Sequence, residues 1–189
     1  MNTSSRMTEF PDVTPRMAKV FTQLHILAIG GRNADNLRSD GEIIPRLWDI
    51  TSIHDPDLRL DTWKWLEAFV YWFNTQHTWY SQDQIPPCWP EHPHLVRDIA
   101  TLADQRRTAG EAPTSTALDE WHRYTTPNFL ERTRTARQGC EDGHTPWPGK
   151  AAHTRHTTEA NTTKRHNIIV ADIDTLPRSN TRGLRALHP

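Results

Sequence analysis

The chain has 189 residues, a mass of 21.9 kDa, a formal net charge of −1 and a mean hydropathy of −0.77. Apolar residues make up 35%, against roughly 45–50% (a figure that includes Gly) for ordinary globular chains, so a core filling the whole length is excluded and one domain with polar ends is expected. No apolar run approaches the about 20 residues that span a bilayer, because the densest stretch, Leu66–Phe73, is interrupted by Glu67.

The N-terminus is polar and lacks the apolar segment of a secretory signal, so a cytoplasmic location is expected. Two cysteines, Cys88 and Cys140, cannot build a disulfide scaffold. In a reducing compartment they are expected as free thiols or ligands. The charge is uneven: residues 1–131 hold 12 Lys and Arg against 18 Asp and Glu, a net −6, while residues 132–189 hold 10 against 5, a net +5. An acidic body and a basic tail point to an anionic partner for the tail.

Residues 1–15 are polar and read as disordered or loosely attached. Over Arg16–Ile29, Met17, Val20, Phe21, Leu24, Leu27 and Ala28 recur at steps of three and four, which predicts an amphipathic helix stopped by Gly30-Gly31. Residues 32–60 read as non-regular, docked through Ile43, Ile44, Leu47, Trp48 and Ile50. Asp61 to His77 is the clearest helix, with Asp61 as its N-cap. Leu66, Phe69, Val70 and Phe73 share a face with Trp65 and Trp72 at its edge, while Lys64, Glu67, Tyr71, Asn74 and Thr75 lie opposite.

The proline-rich run Ile85–Pro93 forbids helix until Pro93, which suits a first helical turn. His94–Ala109 follows, with Leu95, Val96, Ile99, Leu102 and Ala103 on one face, and Gly110 as its stop. Thr114 or Ser115 caps a third strong helix, in which Leu118, Trp121, Thr125 and Phe129 share a face. Pro127 should kink it, and its end is expected near Arg137. Residues 150–189 have little to bury and read as a mainly disordered basic tail. Within it, Asn167–Ile173 is the one apolar run, a candidate strand or docking segment.

The predicted architecture is therefore all-α: a small antiparallel helical bundle with disordered N- and C-terminal tails, its helical domain covering residues 16–149. No phosphate-cradling glycine loop, nucleophile elbow or H-E-x-x-H pattern is present. A non-enzymatic protein is expected.

Two constellations carry candidate chemistry. Cys88-x3-His92 and Cys140-x3-His144 repeat one cysteine and one histidine at the same spacing, each in a loop flanking the hairpin 94–137. Two thiolates and two imidazoles suit one tetrahedral structural zinc, with His94 as a substitute ligand. Against this, Cys88 also reads as a small buried hydrophobe and His92 as a helix cap. The second constellation is the tryptophan load, 8 in 189 residues. The helical spacing of Trp65 and Trp72 assigns them to packing, whereas Trp79, Trp89 and Trp147, in loops, are candidates for contact with a partner.

The segments Trp72-x-Asn74-x-Gln76-His77-x-Trp79-Tyr80, Ile85-Pro86-Pro87-Cys88-Trp89-x-x-His92-Pro93, Trp121-His122 and Gly143-His144-x-Pro146-Trp147-Pro148-Gly149 carry a resemblance. Over residues 60–149 the chain resembles small Trp-rich actinobacterial proteins of unknown function, often encoded on conjugative or phage-like elements. The resemblance implies a cytoplasmic accessory protein of a mobile element. The sequence thus predicts a helical adaptor that binds another macromolecule, a protein partner first. A DNA-binding accessory protein using residues 150–189 and a small structural-zinc protein are the alternatives.

Overall fold

The computed structural model describes residues 7–39, 41, 43–78, 80–136 and 158–174. The chain divides into two units, Met1–His144 and Thr145–Pro189. The fold is all-α, and no strand occurs among the described residues. The first unit is a small antiparallel bundle of α1 (Pro15–Ile29), α2 (Arg32–Ser39), α3 (Pro56–Gln76), α4 (Pro93–Glu111), α5 (Thr116–Glu120) and α6 (Thr126–Ala136). The second contains α7 (Glu159–Asp174).

Helix α1 starts where local chemistry dictates. Thr14 Oγ1 accepts the Met17 N–H at 3.3 Å, and Pro15 occupies the first turn. Gly30 ends it at φ 82°, a left-handed conformation open to glycine, with its N–H on the Ile26 carbonyl. Residues 32–39 then form α2 in place of the predicted non-regular stretch. Leu47, Ile50 and Ile53 are buried below the following loop, whereas Ile43 is 91% exposed and docks nothing.

Helix α3 begins a turn and a half before the predicted start. Asp55 is its N-cap, accepting from the Asp57 and Leu58 N–H groups, and Pro56 fills the first turn. The predicted cap, Asp61, is inside the helix. There it accepts from Thr14 Oγ1 at 2.9 Å and pairs with Arg16 at 3.4 Å, tying α3 to the start of α1. Trp65 and Trp72, placed by the sequence at the edge of the apolar arc, are buried with Leu66, Phe69 and Phe73.

Helix α4 begins at Pro93 as expected. It runs through Gly110 to Glu111, where an Arg107–Glu111 ion pair of 2.7 Å spans the glycine and holds the last turn. The third helix is continuous from Thr116 to Ala136, with a π turn at Trp121–Thr125. The Thr126 N–H reaches back five residues to the Trp121 carbonyl. This widened turn lies just before Pro127, whose ring would otherwise clash with the carbonyl four residues back. Trp121 and Phe129 are buried, and Trp121 Nε1 donates to the Leu102 carbonyl of α4.

Residues 7–14 differ from the loose tail expected at 1–15. They lie extended against α3 and run antiparallel to it. Trp72 Nε1 donates to the Thr8 carbonyl and Trp65 Nε1 to the Pro11 carbonyl, both at 3.1 Å. The two indoles are seven residues apart, a rise of about 10 Å on a helix, and three residues of extended chain cover about the same distance. Between these bonds the Phe10 ring stands edge-on to Trp65, Phe69 and Trp72, at centroid distances of 5.2–6.3 Å.

In the second unit, the apolar run Asn167–Ile173, a candidate strand or docking segment, belongs to α7 and is helical. A lone strand would leave its backbone groups unpaired, whereas a helix satisfies them internally. Ile168, Ile169 and Val170 are exposed on it.

Candidate functional site

A groove of about 750 Å³ opens between α1 and the last two turns of α4. Its α1 wall carries Ala18, Phe21, Thr22, His25 and Ala28, and its α4 wall carries Asp104, Arg107, Thr108 and Glu111. Each set repeats at the three- and four-residue steps of a single helix face. Trp48, half-buried midway along the α2–α3 loop, lines the groove as well. The Arg107 guanidinium lies 3.7 Å above the centroid of the buried Phe21 ring and joins the two walls.

Arg107 is also the centre of the charge on the α4 wall. Its Nε and Nη2 donate to Asp104 Oδ1 at 3.3 and 2.9 Å, and its Nη1 donates to Glu111 Oε2. Both bonds to Asp104 end on the same oxygen. Burial pushes the Asp104 carboxyl above its ordinary range, and the Arg107 bonds pull the other way. The Glu111 side chain is 63% exposed, against 15% for Arg107. The wall thus presents two carboxylates and one spent guanidinium, a net negative edge beside an apolar one.

A second cluster lies between α3, α4 and the π turn. The Arg106 guanidinium is within 5.2–5.7 Å of the Phe10, Trp72 and Trp121 ring centroids. Beside it, His77 contacts Trp72 at 4.5 Å and stacks on His122 at 5.5 Å. Burial first, then the neighbouring His122 and Arg106, lower the His77 pKa to about 4. His77 is therefore a neutral ring at pH 7. Through Trp72, Phe73 and Trp121 this cluster packs on the core.

The predicted metal ligands divide. Cys88 Sγ and His92 Nε2 come together at 3.3 Å, and the His94 ring stands 5.7 Å from that of His92. Their loop is fixed by Asn74, which donates to the Ile85 carbonyl and accepts the Ile85 N–H, and by Trp89 Nε1 donating to Glu67. Cys140 and His144 lie outside the described residues. Among the described residues, no group of three or more His, Cys, Asp or Glu side chains could hold a metal.

The predicted contact tryptophans also divide. Trp89 is 2% exposed and packs on Trp63 at 5.5 Å, so it is a core residue and not a contact platform. Its indole fills the space that the proline-rich loop leaves above α3. Trp79 and Trp147 lie outside the described residues. Sequence reasoning gave Trp48 only a docking role on the core and missed Asp104, Arg107 and Glu111 as groove residues. The Asp104–Arg107–Glu111 spacing was the available signal, cut short by taking Gly110 as a helix stop. No helix among the described residues is long and apolar enough to cross a membrane. The chain matches no protein-family model, no curated protein and no solved structure.

Proposed function

We propose that the chain is a non-enzymatic helical adaptor that engages another protein through the α1–α4 groove. The observation that carries this reading is the groove itself: one face of α1, largely of small and apolar side chains with Thr22 and His25, opposite a charged face of α4, with Trp48 also lining it. Its volume lies within the range of about 300–1,000 Å³ typical of ligand sites. A half-buried tryptophan beside apolar side chains and satisfied ion pairs is the composition of a contact surface. The resemblance to mobile-element proteins implies an accessory protein, a class to which an adaptor belongs.

Copurification from the native host tests this. Thr22 is exposed on the α1 wall, so Thr22→Trp fills the groove without touching the core. The expected result is a defined protein recovered with the native chain, retained by Tyr71→Ala on the exposed face of α3 and lost with Thr22→Trp. Recovery of the same proteins by all three, or of nucleic acid as the sole macromolecule, contradicts the reading.

A structural zinc is a second reading. Two ligands at zinc bond lengths and a tetrahedral angle sit about 3.6 Å apart, and Cys88 Sγ and His92 Nε2 are 3.3 Å apart. The same distance fits a hydrogen bond between thiol and imidazole. Cys140 and His144 would complete the set. Elemental analysis of protein purified without chelator separates the two: one zinc per chain, lost in Cys88→Ser with a fall in melting temperature, supports the metal, and no zinc ends it.

A further inference from the structure

We infer that the α1–α4 groove is a socket for one amphipathic helix that carries basic residues along one edge. The inference rests on the protein-binding reading above and names the shape and charge of the occupant.

Shape comes first. Ala18 to Ala28 on one wall and Asp104 to Glu111 on the other correspond to rises of about 15 and 10 Å. A trough of that length takes two to three turns of helix, roughly 7–10 residues at 1.5 Å each. Apart from the last carbonyls of each helix, the backbone N–H and C=O groups of both walls are spent within α1 and α4. An extended peptide laid between them would bury most of its own backbone groups without partners, whereas a helix brings them already satisfied. The groove therefore suits the helix-in-groove mode and not strand addition.

Charge comes second. Ala18, Leu24 and Ala28, with the edge of the buried Phe21, give the α1 wall an apolar part beside the exposed Thr22 and His25, so the occupant turns an apolar stripe with small polar neighbours that way. On the α4 side, Asp104 and Glu111 flank Arg107, which is held by both carboxylates and by the Phe21 ring. Asp104 Oδ2 and the exposed Glu111 carboxylate are left to receive donors from outside. Seven residues separate Asp104 and Glu111, so Lys or Arg one or two turns apart on the incoming helix would meet them. An acidic occupant would set like charges against a partly desolvated carboxylate. The net −6 over residues 1–131 steers the same choice at longer range.

The test uses the full chain and three fluorescein-labelled synthetic peptides of equal length. One is a helix with a leucine stripe and lysines on its flanks, one replaces each lysine by glutamate, and one is the lysine peptide broken by two prolines. The lysine peptide is expected to bind saturably, at least tenfold more tightly than the other two. Thr22→Trp should abolish that binding. Glu111→Lys, at an exposed position in the last turn of α4, should weaken it at least tenfold, and Asp104→Asn should weaken it less. Equal binding of the lysine and glutamate peptides, tight binding of the proline peptide, or indifference to Glu111→Lys overturns the inference. Failure of all three peptides overturns it too. Because copurification uses no peptide, a partner still lost with Thr22→Trp would then show that the groove binds a protein of another shape or charge.

Discussion

Phe10→Ala is the sharpest test of how the first unit is held together. Phe10 is half-buried and packs on the core through Trp65, Phe69 and Trp72, with the Arg106 guanidinium 5.2 Å from its centroid. Truncating a fully buried Phe costs about 3–5 kcal/mol. Partial exposure reduces the hydrophobic share to about 2 kcal/mol, and loss of edge-on ring contacts and the cation–π contact adds about 1 kcal/mol. The expected cost is about 2–3 kcal/mol, a fall in Tm of roughly 10 °C for a domain of this size. Phe10→Leu should recover more than half, because it restores apolar volume but not the rings. Thermal and urea unfolding followed by circular dichroism at 222 nm measure both. If Phe10→Ala melts within 2 °C of the parent, residues 7–14 are an unattached tail and the reasoning from Trp65 and Trp72 is refuted.

A pH series tests the His77 environment. With a folded pKa of about 4 against about 6.5 unfolded, the unfolded chain binds the extra proton between those values, so His77 lowers stability as pH falls from 6.5 towards 4 and has no effect above 6.5. Because His77 is only about half buried, the loss falls short of the about 3 kcal/mol that the whole shift would give; it is read as the difference between parent and His77→Gln in urea midpoints, and parallel profiles for the two contradict the assignment. Asn74→Ala removes both bonds to the Ile85 backbone and should cost about 1–3 kcal/mol, with the far-UV spectrum unchanged; an unaltered urea midpoint would show that the loop does not depend on Asn74. Trp89→Phe keeps the packing on Trp63 but leaves Glu67 without the indole donor, and a loss of about 1 kcal/mol is expected, whereas an exposed contact tryptophan would give none.

What the sequence made legible was local. The spacing of Met17, Val20, Phe21 and Leu24 marked α1, and Pro93 marked the start of α4. The helix at Asp61–His77 was found, but Asp55-Pro56 was passed over because the residues before it read as polar loop. Gly110 was taken as a stop because its cost as a helical residue is about 1 kcal/mol, a cost that the Arg107–Glu111 pair across it offsets only in part. Phe10 gave no signal: its partners are 55 or more residues away, and one aromatic ring in a polar stretch has no period. Pro127 was expected to kink its helix, and the π turn at Trp121–Thr125 is how the chain absorbs it. The two faces of the groove were each readable as helical stripes. Their meeting depends on α1 and α4 both flanking α3, and the contact between Phe21 and Arg107 is a tertiary fact no local pattern encodes.

Carbodiimide cross-linking of the full chain to its copurified partner, followed by mass spectrometry, bears most directly on the groove. The reagent joins carboxylates to lysines in contact, so Glu111, and less often Asp104, should be found coupled to lysines spaced along one helical segment of the partner. Couplings that leave both residues untouched and cluster instead on Glu159 or Asp172 of α7 would contradict the assignment of the groove as the binding site.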